Sequence, residues 1–121
     1  MTGVLLLAHG SRAKVTEETF EAIALMTKKQ LPGILMQTAY MEFSALNIAD
    51  GLNELAAAGA DEIVIVPYFL FTGMHIQKDI PAEIQRFHET RPDVSIRLGG
   101  TLGPDPRLAD ILADRVREAL S

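Results

Sequence analysis

The chain contains no cysteine, so neither a disulfide nor a thiolate metal site can hold it together. At 121 residues it needs no such staple, because a domain of this length buries roughly two thirds of its unfolded surface. The missing cysteine is compatible with a reducing compartment, and a cytoplasmic location is expected. No apolar stretch approaches the roughly 20 residues that span a bilayer, so no membrane partner is expected. The first residues carry no basic region and no small-residue cleavage site, so no secretory signal is expected. There is no basic run either. A formal net charge of −5 with dispersed lysine and arginine argues against nucleic acid, whose binding relies on phosphate neutralisation. Nucleotide motifs are also lacking. Gly99-Gly100-Thr101-Leu102-Gly103 could cradle an anion ahead of a helix, but it has neither the Walker lysine nor the Rossmann spacing. Ser11 is not set in a Gly-x-Ser-x-Gly elbow. Ala8 stands where a phosphohistidine phosphatase would place a basic residue before its histidine.

What is present is an alternation of strand and helix patterns, expected to form one domain over 1–121. Apolar runs predict strands over 4–8, 34–41, 62–66 and 94–98. The first helix is predicted over 15–31, with Phe20, Ile23, Ala24, Thr27 and Leu31 on one face and Pro32-Gly33 as its stop. A second should start near Ser44 and end at Gly59. A third should start near Asp79, with Pro81 in its first turn. The fourth follows Asp105-Pro106, with Leu108, Ile111, Leu112, Val116 and Ala119 facing inward. This order predicts an α/β three-layer sandwich: a four-stranded parallel sheet with helices on both faces. Ligands of such sheets bind beyond the carboxyl ends of the strands.

Three polar residues stand just past three of those ends: His9, Glu42 and His75. Two imidazoles and a carboxylate at one edge make a metal site or an acid–base site. Each has a plainer reading: His9 as a loop cap, Glu42 as a solvated carboxylate, and His75 as one residue of the long connection 67–78. Their common edge favours the functional reading. His88 falls late in a helix, where the dipole suits a surface histidine. The surrounding loops are unusually apolar. Tyr68-Phe69-Leu70-Phe71, Met41, Phe43 and Met74 suggest a broad apolar ligand or a subunit contact. Arg12, Lys14 and Lys78 stand close enough to receive an anionic ligand.

Leu7-Ala8-His9-Gly10-Ser11-Arg12, Tyr40-Met41-Glu42-Phe43 and the segment from Val66-Pro67-Tyr68 through Gly73-Met74-His75 to Ile80-Pro81 resemble the class II tetrapyrrole chelatases. Within that class the chain is most similar to the small single-domain sirohydrochlorin cobaltochelatases of CbiX type. Leu102-Gly103-Pro104-Asp105-Pro106 fits the same pattern, so the resemblance runs the length of the chain. It departs at Leu46-Asn47, where relatives often open the second helix with proline.

The resemblance implies insertion of a divalent metal, Co²⁺ first and Fe²⁺ or Ni²⁺ as alternatives, into sirohydrochlorin on a cobalamin or siroheme route. His9 and His75 would bind the metal, and Glu42 would act as ligand or proton acceptor. Arg12, Lys78, Tyr68, Phe69 and Met74 would meet the tetrapyrrole. No tightly bound cofactor and no ATP are expected, and a homodimer is implied. The rival readings are a metal or tetrapyrrole carrier that inserts nothing, and a small hydrolase-like enzyme using His9 as base.

Overall fold

Runs such as Val4-Leu5-Leu6-Leu7 and Ile63-Val64-Ile65-Val66 have no polar alternation, so both faces of those strands must be covered. A parallel sheet with helical crossovers does this. The computed structural model describes the backbone of residues 1–121 and every side chain except those of residues 75–77. The elements run β1 (Thr2–Ala8), α1 (Lys14–Gln30), β2 (Leu35–Tyr40), α2 (Ile48–Ala57), β3 (Glu62–Pro67), α3 (Met74–Thr90), β4 (Ser95–Leu98) and α4 (Pro106–Leu120). All strand pairs are parallel, in the order β2-β1-β3-β4. Among the described residues, no helix is long and apolar enough to cross a membrane.

The register fixes the functional edge. Ala8 lies opposite Tyr40, and Leu7 lies opposite Pro67. The ladder continues past the strands: Met41 N–H donates to Ala8 O, Glu42 N–H to His9 O and Tyr68 N–H to Leu7 O. The segments after β1, β2 and β3 therefore leave the sheet side by side.

The two faces of the sheet are covered unequally. Leu5, Leu7, Ile63 and Ile65 are fully buried against Leu52 and Leu55 of α2 and Ile80 and Phe87 of α3. On the other face α1 supplies buried Phe20 and Ala24, next to Ala8 and Tyr40. Val4, Leu6, Val64 and Val66 on that face remain half-buried.

Three expectations are revised. The second helix begins at Ile48, not near Ser44. Asn47 is the cap, accepting from the Asp50 N–H at 2.8 Å, while Ser44 Oγ accepts from the Leu46 N–H in a turn. The third helix begins at Met74, so Pro81 lies inside it and the connection after β3 is shorter than the sequence pattern implied. An interior proline costs about 3 kcal/mol; burial of Ile80 and Phe87 on either side offsets it. The fourth helix has no buried residue. Ile111, Leu112 and Val116, expected to face inward, are half-exposed or more.

Candidate functional site

His9 and Glu42 are brought together by main chain before any side chain is considered. The Glu42 N–H to His9 O bond zips their two segments at 3.1 Å. Gly10 makes this possible. Its φ is +97°, and a Cβ there would lie 2.0 Å from the Glu42 carbonyl oxygen. Only glycine fits so close an approach. Gly10→Ala should therefore lower the unfolding free energy by about 2 kcal/mol or more, read from denaturant midpoints. A variant as stable as the parent would show that the two segments need not touch.

Phe43 adds a second local cost, with φ of +60° at a bulky residue. Such strain is about 1–2 kcal/mol and persists where surroundings hold it. Here the Arg12 guanidinium sits 5.0 Å from the Phe43 ring centroid, a cation–π contact joining the loops after β1 and β2.

The His9 imidazole Nε2 donates to Glu42 Oε1 at 2.8 Å, and both side chains are half exposed. A pair this open is worth only about 0.2–1 kcal/mol. That is less than the backbone strain beside it, so stability does not account for the arrangement. What the bond does is fix the ring's orientation and couple the imidazole to a carboxylate.

The pair opens into a cavity of about 340 Å³, whose far wall is α3. Asp79, Glu83 and Arg86 stand on that wall, and Arg86 pairs with Glu83. The sequence reading did not assign them to the site. Their i, i+4, i+7 spacing marks one helix face, but nothing local says that this face looks toward Glu42. On its other side His9 borders a cavity of about 370 Å³ reaching Thr16, Thr19 and Tyr68. The range of α3 takes in position 75; the convergence of His75 on His9 lies outside the described residues.

The apolar loops are exposed, as a ligand shelf requires. Phe43, Tyr68, Leu70 and Met74 are between 40% and 61% exposed, and Phe71 is 81% exposed. Phe69 differs: it is half-buried against the main core, with its ring 6.0 Å from that of His9. Arg12, Lys14 and Lys78 are exposed around the same edge, at the end of β1 and in the early turns of α1 and α3.

Behind Glu42, Tyr40 anchors the end of β2. It is 1% exposed, and its hydroxyl donates to Glu21 Oε2 at 2.7 Å, while Thr38 donates to Glu21 Oε1 at 3.0 Å. Burial, reinforced by Glu21, holds the phenol's pKa well above its ordinary 10.0. An unfolded tyrosine ionises near pH 10, whereas the folded one keeps its proton. Its contribution is complete below about pH 10 and is lost as the pH rises above it. Thermal melts should therefore show an alkaline loss of stability that Tyr40→Phe flattens. An identical decline in that variant would assign the loss to another group.

An imidazole–carboxylate pair in a partly dehydrated edge can hold a divalent cation or move a proton. The flat apolar rim and the three cations suit a broad ligand with carboxylates at its margin.

The chain is similar over its length to known proteins. Residues 3–119 match the family model CbiX. The chain is 36% identical over 118 residues to a sirohydrochlorin ferrochelatase of Priestia megaterium, covering 98% of this chain and 44% of that protein. It is 32% identical over 120 residues to a sirohydrochlorin cobaltochelatase of Sulfurisphaera tokodaii, covering 99% and 95%. Among solved structures, a putative cobalamin biosynthesis CbiX protein of Marinobacter aquaeolei superposes with a TM-score of 0.82 at 35% identity, covering 99% of this chain and 95% of that one. The sirohydrochlorin chelatase SirB of Bacillus subtilis subspecies spizizenii, in complex with cobalt, gives 0.90 at 26% identity, covering 97% and 50%. The chain thus spans half or less of the Priestia and Bacillus proteins and nearly all of the other two.

Proposed function

The chain belongs to the CbiX family, and from that premise we propose that it is a sirohydrochlorin chelatase that inserts Co²⁺ into the free-base ring. Fe²⁺ and Ni²⁺ are the alternatives for the same site, since imidazole suits all three. The observation that carries the reading is the 2.8 Å His9–Glu42 pair at the strand-end edge, beneath an exposed apolar rim.

Insertion exchanges one M²⁺ for the two protons on the pyrrole nitrogens. His9 and His75 hold the metal against one face of the ring. Glu42 orients the His9 imidazole and receives one proton as the metal–nitrogen bonds form, and the other leaves to solvent water. Phe43, Tyr68, Phe69 and Met74 bed the macrocycle, and pressing a flat ring out of plane exposes its nitrogen lone pairs. Arg12 and Lys78, with Lys14, meet the peripheral carboxylates. The metal is substrate, and the reaction calls on no resident cofactor and no nucleotide.

One lobe offers a shelf, not a cleft. Relatives roughly twice this length support a working homodimer in which two lobes face each other across the ring. A cytoplasmic site of action belongs to the same reading.

The test is anaerobic mixing of the protein with sirohydrochlorin and Co²⁺, Fe²⁺ or Ni²⁺, followed by absorbance against a protein-free control. Acceleration with at least one metal is expected. No acceleration with any of them would end the chelatase reading.

A further inference from the structure

We propose that Glu21, on α1, is a positioning residue for the His9–Glu42 pair: it ties the helix that follows His9 to the strand that delivers Glu42. This rests on the chelatase reading and adds to it a residue that touches neither ring nor metal.

The first observation is polarity in an apolar place. The register sets Thr38 opposite Leu6 and Tyr40 opposite Ala8, so β2 carries hydroxyls where β1 carries apolar side chains. Side chains alternate along a strand, so Thr38 and Tyr40 share the α1 face. Both converge on one carboxylate. The Thr38 hydroxyl donates to Glu21 Oε1 at 3.0 Å, and the Tyr40 hydroxyl donates to Oε2 at 2.7 Å. Burial keeps the phenol protonated far into the alkaline range, so it remains the donor.

The second observation is what the carboxylate lacks. Glu21 is half-buried, and among the described residues no ion pair includes it. Leucine facing valine and phenylalanine would fill the same space without dehydrating a charge. Matched apolar replacement of a polar cluster is often neutral or better for stability. Apolar contact has no direction, whereas a hydrogen bond does. Direction is therefore what the cluster supplies.

The third observation is where the tie lies. The strand order puts β2 at the edge of the sheet, with a strand neighbour on one side only. On the α1 side its end is held at Tyr40, whose ring also meets Phe20 edge-on at 5.5 Å between centroids. Glu42 lies just past Tyr40, and α1 begins shortly after His9. Glu21 thus links the segment ahead of Glu42 to the segment behind His9. A tilt of β2 against α1 would open the 2.8 Å contact within the pair. Misplacement by an ångström, even from a change far from the reacting atoms, can cost about 10²-fold in rate. A loosened tie leaves Glu42 well placed part of the time, so a loss of about tenfold is expected.

The test is anaerobic insertion of Co²⁺ into sirohydrochlorin by the full chain, well below its melting temperature. Glu21→Leu alone would strand the buried Tyr40 hydroxyl, so it is combined with Tyr40→Phe and checked by a thermal melt. This double variant should lose about tenfold in kcat, with KM for sirohydrochlorin unchanged. Thr38→Val with Tyr40→Phe cuts the same tie from the strand side and should give the same loss. Glu21→Gln should stay within about twofold of wild type, because its amide oxygen still takes the Tyr40 proton and its NH₂ can meet the Thr38 oxygen. In a Glu42→Gln background, Glu21→Leu with Tyr40→Phe should cost no further rate, since the tie acts only by placing the proton acceptor. An undiminished kcat would overturn the proposal. So would Glu21→Gln as slow as the double variant, which would make charge the cause and not direction. An equal loss in both backgrounds would mark a general loosening of the fold, and a rise in KM alone a change in the ring bed; either would overturn it too. A wild type that accelerates nothing would end the chelatase reading itself, whatever the variants do.

Discussion

His9→Ala should remove metal insertion almost entirely, with a fall of roughly 10³-fold in rate, while the protein stays folded. The two halves of this expectation have separate causes. The His9 side chain is half exposed, and its bond to Glu42 is the kind worth under about 1 kcal/mol, so melting should barely change. In the proposed reaction, however, the same ring holds the incoming metal and lies on the path of a departing proton. Initial insertion rates and a thermal melt on one preparation separate the two effects. Full activity in the variant would remove the edge after β1 from the reaction altogether.

Glu42→Gln should slow insertion by roughly 10²-fold and leave Co²⁺ affinity nearly unchanged. The amide keeps the size of the carboxylate and can still hydrogen-bond the His9 ring, but it cannot take a proton. Glu42→Asp, which keeps the acid on a shorter arm, should recover part of the rate. A loss of metal affinity equal to the loss of rate would make Glu42 a ligand. An unchanged rate would make it a loop carboxylate that merely steadies His9.

Particular residues show why the fold was more legible than the site. The four strands declare themselves because both-face burial demands unbroken runs such as Ile63-Val64-Ile65-Val66. Their register sets Ala8 beside Tyr40 and Leu7 beside Pro67, so the loops bearing His9 and Glu42 had to meet. The start of α3 was hidden because Pro81 imitates a first-turn proline. The burial of Ile80 and Phe87 that outweighs it depends on chain segments far away in sequence. Asp79, Glu83 and Arg86 were hidden for the same reason: the face that a helix turns toward a cavity is set by packing. The apolar stripe of α4 is legible in the spacing of Leu108, Ile111, Leu112 and Val116, but the inward packing it implied is absent, since no residue of the helix is buried. The positive φ of Phe43 left no local signal, since φ of +60° is ordinarily left to glycine or asparagine.

The measurement that bears most directly on the central claim counts turnovers. Sirohydrochlorin and Co²⁺ are supplied in large excess over the protein, and metallated product is followed by absorbance without oxygen. A chelatase predicts a rate proportional to protein and many product molecules per chain. Spectral change that stops at one equivalent per chain would contradict it, leaving a protein that binds the ring and the metal without catalysing their union.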